Sequence, residues 1–369
     1  MIKELFMKIT PIGNQKVIMS NPHSKHNYFA WSTATRLQNG KIAVVASGYR
    51  LRHVCPFGKM VISYSENEGE SYTAPAAIID TPLDDRDGGI LAFGEKSVIV
   101  TSFTNTVEFQ RKRKSADAYN HSYLDKVTKE EEEKYLGPTF RISHDCGVTF
   151  GDEVYLAPVS SPHGPCELAD GSVLWLGREC DRWIAYADKR NNKIAACKIN
   201  MDGSTEIIGY IENAFEDGEE LNFYEPHAFA LKNGKIICHI RTEREDGKDP
   251  MFTVFQSEST DGGKTWTKPH MILGRMGGSP PHIMQTKAGM LICSYADREE
   301  PSSIKVAFSH DDGESWDIDH LICVNGKGWD MGYPTTVELK DGSFITVFYA
   351  HPEEEEPAVI LQQKWRIEE

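Results

Sequence analysis

The sequence predicts an all-β fold, a six-bladed β-propeller of four-stranded antiparallel blades. Three observations carry this. A hairpin pattern recurs six times, a Ser-x-Asp-x-Gly octet recurs in step with it, and segments near both ends read as strands that can share one sheet.

The hairpin segments are WSTATRLQNGKIAVVASGYR (31–50), RDGGILAFGEKSVIVTSFT (86–104), HGPCELADGSVLWLGRE (163–179), EPHAFALKNGKIICHIRTE (225–243), SPPHIMQTKAGMLICSYADR (279–298) and YPTTVELKDGSFITVFYAH (333–351). Each is an apolar strand, a polar turn with glycine, and a second apolar strand. Asn39-Gly40, Asp170-Gly171, Asn233-Gly234 and Asp341-Gly342 supply the positive φ angles that tight hairpins need. Spaced roughly 50–80 residues apart, such hairpins supply one blade each.

The octet begins at Ser65, Ser143, Ser259 and Ser309, with an eroded copy in INMDGST (199–205). It falls where a third strand would turn into the outermost one. Its Asp can accept N–H groups across the turn, its Gly permits a tight φ, and its aromatic residue can plug between sheets. A calcium site needs about six oxygen ligands. The octet offers one dependable carboxylate, and even that is Asn67 in the first copy. It is therefore expected to be a blade turn and not a metal site.

QKVIMS (15–20) precedes the first hairpin and AVILQQKW (358–365) follows the last, so one can complete the sheet that holds the other. The whole chain, 1–369, is expected to be one propeller domain. A charged, helix-prone insert is expected around 108–136, where RKRK (111–114) could steer an anionic glycan or be a solvated face beside KEEEEK.

Composition narrows the function. Of 369 residues, 40% are hydrophobic and 10% aromatic, enough for a large core. A net charge of -15 argues against nucleic acid as a partner. It leaves room for an anionic small substrate held by a local arginine cluster. No stretch approaches 18 apolar residues and the start lacks an apolar h-region, so neither membrane span nor signal peptide is expected. The eight cysteines show no zinc spacing and several sit in apolar runs, as expected of buried thiols in a cytoplasmic protein. No metal or cofactor is expected, and the oligomeric state is not legible.

Strand direction locates the chemistry. Residues just before a hairpin's first strand and just after its second share one face around the central axis; the octets lie on the other. The first set gives Trp31, Asp87, His163, Glu225, His227, His282 and Tyr333. The second gives Arg50, Arg178, Arg241, Arg298 and His351. Apolar strand repeats have no structural need for so many ionisable groups at equivalent edges, so their convergence points to a site.

The octets are Asp boxes, or BNR repeats, and with six hairpins they make the chain resemble the sialidase (neuraminidase) superfamily over essentially its whole length. The resemblance implies roles for particular residues. EPHAFALKNGKIICHIR is similar to the segment carrying the family's catalytic Glu and one arginine of its carboxylate-binding triad, implying Glu225 and Arg241. SYADREEPSSIKVAFSHDDGESW implies Arg298 as a second triad arginine, and GYPTTVELKDGSFITVFY implies Tyr333 as nucleophile. Two departures stand out. The family's first triad arginine belongs to an Arg-Ile-Pro motif, and here that place reads AWS (30–32). The loop expected to carry the acid/base Asp reads RLRHVCPFGK (50–59), leaving Arg50, Arg52 or His53 as substitutes and Asp85 or Asp87 as an acid.

The expected function is a sialidase-like glycoside hydrolase acting on a terminal acidic sugar, with a carbohydrate, anionic partner. Two other readings stay open. One is a related enzyme such as a uronate lyase, for which His53, His227, His282 and Arg241 could serve. The other is a non-catalytic carbohydrate-binding propeller.

Overall fold

The computed structural model describes residues 7–184, 192–244, 249–278, 280–325, 328–353 and 356–368. Six antiparallel sheets follow one another along the chain as the blades of a propeller. Their innermost strands start at Tyr28–Arg36, Arg86–Phe93, Val159–Ser160, Asn222–Ala230, His282–Gln285 and Gly332–Glu338. Five blades have four strands. The third has five segments, because Val159–Ser160 and Cys166–Glu167 both pair with Val173–Glu179. Pro162 and Pro165 cannot donate to that ladder, so the chain between the two segments loops out.

The last blade joins the two ends. Lys8–Met19 pairs antiparallel with Val359–Glu368, from Lys8 opposite Glu368 to Met19 opposite Ile360, and forms the outer strand of the sheet that holds Gly332–Glu338. This closes the ring and leaves the sixth blade without an octet.

The core is a ring of clusters between neighbouring blades. Strand Ile42–Arg50 shows how it forms. Ile42, Val44 and Ala46 face the sixth blade, against Tyr333 and Val347. Ala43 and Val45 face the second blade, against Val98 and Val100. Successive side chains point to opposite sheet faces, and both faces are covered, so the strand is apolar throughout instead of alternating. Trp365 is fully buried and stacks on Phe344 with ring centroids 4.6 Å apart.

The four octets are turns between third and fourth strands. In each, the Ser hydroxyl accepts the N–H of the Gly four residues on, at 2.9–3.0 Å. In three, the Asp accepts both the N–H and the hydroxyl of the following Thr or Ser, as Asp261 does from Thr265 at 2.9 and 2.6 Å. Asn67 reproduces the pattern by accepting from Ser71 N–H and donating to its hydroxyl. The carboxylate oxygens are thus spent on the turn, and among the described residues no group of His, Cys, Asp or Glu is arranged to hold a metal. The eroded copy is the corresponding turn of the third blade, where Asp202 accepts from Ser204.

Residues 107–135 hold three short helices, Val107–Arg111, Ala118–Leu124 and Lys129–Tyr135, inserted after the second strand of the second blade. The last two begin with capping boxes at Asp117 and Thr128. No helix among the described residues is long and apolar enough to cross a membrane.

Two expectations follow. Trp365→Ala should lower stability by about 3–5 kcal/mol in urea unfolding, since it empties the interior of the closing blade. The octet carboxyls of Asp145 and Asp261 are held down at about 2 by their Thr hydroxyl and backbone partners, below an unfolded value of about 3.9. Their contribution is therefore present above about pH 4 and lost as pH falls towards 2. The melting midpoint should fall across that window, and Asp261→Asn should make the fall shallower.

Candidate active site

A local feature repeats where four innermost strands begin. Trp31, Asp87, Glu225 and Tyr333 all have left-handed backbones, with φ of 54°, 56°, 42° and 55°. Each lies at a break in register, between Ala30 and Thr33, Arg86 and Gly89, Tyr224 and His227, and Gly332 and Thr335. These are β-bulges, which re-aim a side chain without ending the strand. All four residues line one cavity of about 860 Å³. A non-glycine residue in this conformation costs on the order of 1–3 kcal/mol and persists only where its surroundings impose it. Close contact along the axis helps: a Cβ on Gly89 would lie 2.5 Å from Gly164 Cα.

At the centre, the Tyr333 hydroxyl donates to Glu225 Oε1 at 2.5 Å. The other oxygen, Oε2, accepts from Arg241 Nη1 at 2.6 Å, and Arg241 Nε donates to Glu243 at 2.6 Å. Burial raises the Tyr333 pKa well above its ordinary value; the charges of Glu225 and Asp87 add to this and Arg241 opposes it. The phenol therefore stays protonated until a base removes its proton, and Glu225 is in place to do so. Asp87 is also buried, and its pKa is pushed up to about 6 by burial, against the pull of Arg86 and with a push from Glu225.

Arginines give this cavity a positive wall in an acidic protein. Arg298 donates Nε–H to Met331 O at 3.1 Å and has no carboxylate partner among the described residues. Arg86 lies over the Trp31 ring at 4.2 Å, and its Nε has no hydrogen-bond partner. Sequence reasoning passed over Arg86, although it is the first residue of the second hairpin segment, RDGGILAFGEKSVIVTSFT. Trp31 occupies the place of the arginine missing from AWS, and Arg86 brings a guanidinium to its ring from the second blade. The insert adds Lys112, Arg113 and Lys114 at the cavity wall, so most of the RKRK run faces the site. Tyr123, also in the insert, donates to Pro82 O at 3.1 Å.

Glu225, Arg241, Arg298, Tyr333, Asp87 and His53 thus come together around one space. Other expected site residues lie elsewhere. Arg50 is fully buried and does not line the cavity; it pairs with Asp84 at 2.5 and 3.1 Å and donates to His53 O. Asp85 is also fully buried and accepts from Thr81 N and Oγ1 at 2.7 and 3.0 Å. Burial pushes its pKa up to about 8. Arg178 is buried against the Tyr224 ring at 4.3 Å.

His163, His227 and His282 gather on the axis beneath the cavity, with ring centroids 4.4–5.6 Å apart. His227 follows Glu225 by two residues but across the bulge, and its ring stacks on His282 at 4.4 Å while its Nδ1 accepts from Ile283 N–H at 3.1 Å. His227 and His282 line a separate cavity of about 480 Å³ that also reaches Arg36 and Glu338. Burial holds all three well below the ordinary histidine range, so they are neutral. Their positions do not suit contact with a substrate in the upper cavity.

Sequence reasoning also missed Asp330. It accepts from Tyr28 at 2.7 Å and Tyr349 at 2.9 Å, and lies 2.9 Å from His53 Nδ1 and 3.3 Å from His351 Nε2. It sits just ahead of the sixth hairpin, where the strand-edge rule would have found it.

The profile of the BNR repeat-like domain matches residues 139–346. A search of curated protein sequences finds no match. Among solved structures, a protein of unknown function from Dyadobacter fermentans is similar, at 18% identity and a TM-score of 0.73, over 98% of this chain and 99% of that one. The NanB sialidase from Streptococcus pneumoniae is 12% identical with a TM-score of 0.64, over 98% of this chain and 71% of that one. The α-L-arabinanase from Penicillium chrysogenum is 13% identical with a TM-score of 0.64, over 96% and 98%. At such identities the likeness establishes a shared fold.

The two kinds of arginine should separate by experiment. Arg50→Met strands the buried Asp84 and should cost about 3–5 kcal/mol in urea unfolding. Arg298→Met should leave the unfolding midpoint near that of the unmodified protein.

Proposed function

The chain belongs to the BNR repeat-like domain family, and from that premise we propose that it is a glycoside hydrolase that removes a terminal acidic sugar from a glycan or oligosaccharide. The observation that carries this reading is the 2.5 Å hydrogen bond from Tyr333 to Glu225, with Arg241 on the carboxylate's other oxygen. Glu225 takes the phenolic proton as Tyr333 Oη attacks the anomeric carbon. A phenol, neutral until that moment, suits an anionic sugar better than a carboxylate nucleophile, which the substrate's own charge would repel. Arg86, Arg241 and Arg298 bind the sugar carboxylate, and guanidinium groups do so with two parallel hydrogen bonds. Asp87 is placed to hold a sugar hydroxyl.

The similar solved structures include enzymes named for sialic acid and for arabinose. The acidic class is drawn from this chain's own cavity, where Arg298 has no carboxylate partner among the described residues and Arg86, with Asp87 at 3.6 Å and Asp84 at 4.0 Å, leaves its Nε without a hydrogen bond. A turnover screen over glycosides of sialic, uronic and neutral sugars tests it. Tyr333→Phe should lower turnover by about 10³-fold or more while leaving ligand binding intact. Full activity in that variant would sink the mechanism. Release of an unsaturated uronate, seen by ultraviolet absorbance, would point to elimination instead.

A further inference from the structure

A glycosidase with this nucleophile still needs a group to protonate the departing oxygen, and the cavity offers two candidates, Asp87 and His53. Asp87 sits at a strand bulge and is almost fully buried, with Oδ1 3.6 Å from Arg86 Nε. The bond broken at a terminal sugar points the other way, towards the mouth, because the remainder of the glycan must lie outside. His53 stands there. Its side chain is 33% exposed, and its ring lies 5.5 Å from that of Trp329, which is 64% exposed.

His53 is also held as a proton-transfer group would be. It belongs to the loop between the second and third strands of the first blade. Its Nδ1 lies 2.9 Å from Asp330 Oδ1 and 3.1 Å from the Tyr28 hydroxyl, and its ring meets Trp31 edge-on at 4.9 Å. Burial opposes the charge on Asp330, but hydrogen bonds with His351, His53 and Tyr28 outweigh it and hold the carboxyl well below its ordinary range. An ionised carboxylate only accepts, so it fixes a proton on Nδ1. Nε2 is left on the opposite ring edge, with no partner among the described residues.

We propose that His53, oriented by Asp330, is the acid/base residue of this site. In the first step His53 starts as the imidazolium, protonated on both nitrogens: Tyr333 Oη bonds to the anomeric carbon, the bond to the leaving oxygen breaks, and that oxygen takes the proton from Nε2, leaving His53 neutral with its proton on Nδ1. The phenolic proton moves to Glu225. In the second step water attacks the anomeric carbon, gives a proton to His53 Nε2, and the Tyr333 oxygen departs, regaining its proton from Glu225. The net reaction consumes one water. Asp330 is a positioning residue in this scheme.

The proposal rests on the glycosidase reading, and the experiment separates the two. The probes are 4-nitrophenyl and methyl glycosides of N-acetylneuraminic acid, glucuronic acid and arabinofuranose, tested on the full chain. On any sugar the unmodified protein turns over, His53→Gln should lower methyl glycoside turnover by about 10²–10⁴-fold. The 4-nitrophenyl glycoside needs little protonation, so its glycosylation step should be much less affected, and added azide should restore turnover by forming a glycosyl azide. Asp330→Asn should give a smaller loss with the same dependence on leaving group and a displaced pH profile. Equal losses on both leaving groups, or leaving-group dependence in Asp87→Asn instead, would overturn the role of His53 and spare the nucleophile. No turnover of any probe by the unmodified protein would overturn both.

Discussion

Everything at the axis depends on one backbone constraint. An innermost strand must keep its ladder with the second strand and also turn a large side chain inwards at its start. A single residue in the left-handed region satisfies both demands. Four blades use it, at Trp31, Asp87, Glu225 and Tyr333. None of the four is glycine, the residue that takes this conformation at least cost. The strain is accepted because the side chain is wanted where the bulge sends it.

The electrostatics sort into two groups. Some charges are neutralised by the protein itself: Arg50, with no exposed surface, by Asp84, and Arg241, at the cavity wall, in part by Glu225 and Glu243. Others at the cavity surface are less committed. Arg298 spends one N–H on a carbonyl, and Arg86 rests on aromatic rings at 4.2 and 5.6 Å with Asp87 and Asp84 only at 3.6 and 4.0 Å. A net negative protein can therefore present a cationic cavity. Location with respect to carboxylates, more than the count of arginines, decides which of them can meet an anion.

The fold was legible because it is written six times. Asn-Gly and Asp-Gly turns marked the hairpins, and the octets marked the ends of third strands, which fixed strand direction. The same logic led to Glu225, Arg241, Arg298 and Tyr333. It could not tell depth. His227 lies two residues past Glu225, and that step moves it out of the cavity onto the axis. Nor could it tell pairing across distance. Arg50 and Asp84 are far apart in sequence, so nothing local reveals that Arg50 is already occupied. The position of Asp330, just ahead of the sixth hairpin, was within reach of the strand-edge rule, but its pairing was not, since its partners Tyr28 and His53 come from the first blade. The broken inner strand of the third blade was foreshadowed by Pro162 and Pro165, which do not fit a continuous ladder.

The pairing of Lys8–Met19 with Val359–Glu368 also sets an order of events. A ribosome delivers Lys8–Met19 long before Val359–Glu368. Until Val359–Glu368 emerges, Lys8–Met19 has no strand to pair with and the sixth blade holds only two of its four strands. The nascent chain can fold blades in succession, but it cannot hold a complete cavity. A chain cut short before the sixth blade would carry Glu225 and Arg241 with no Tyr333 opposite them.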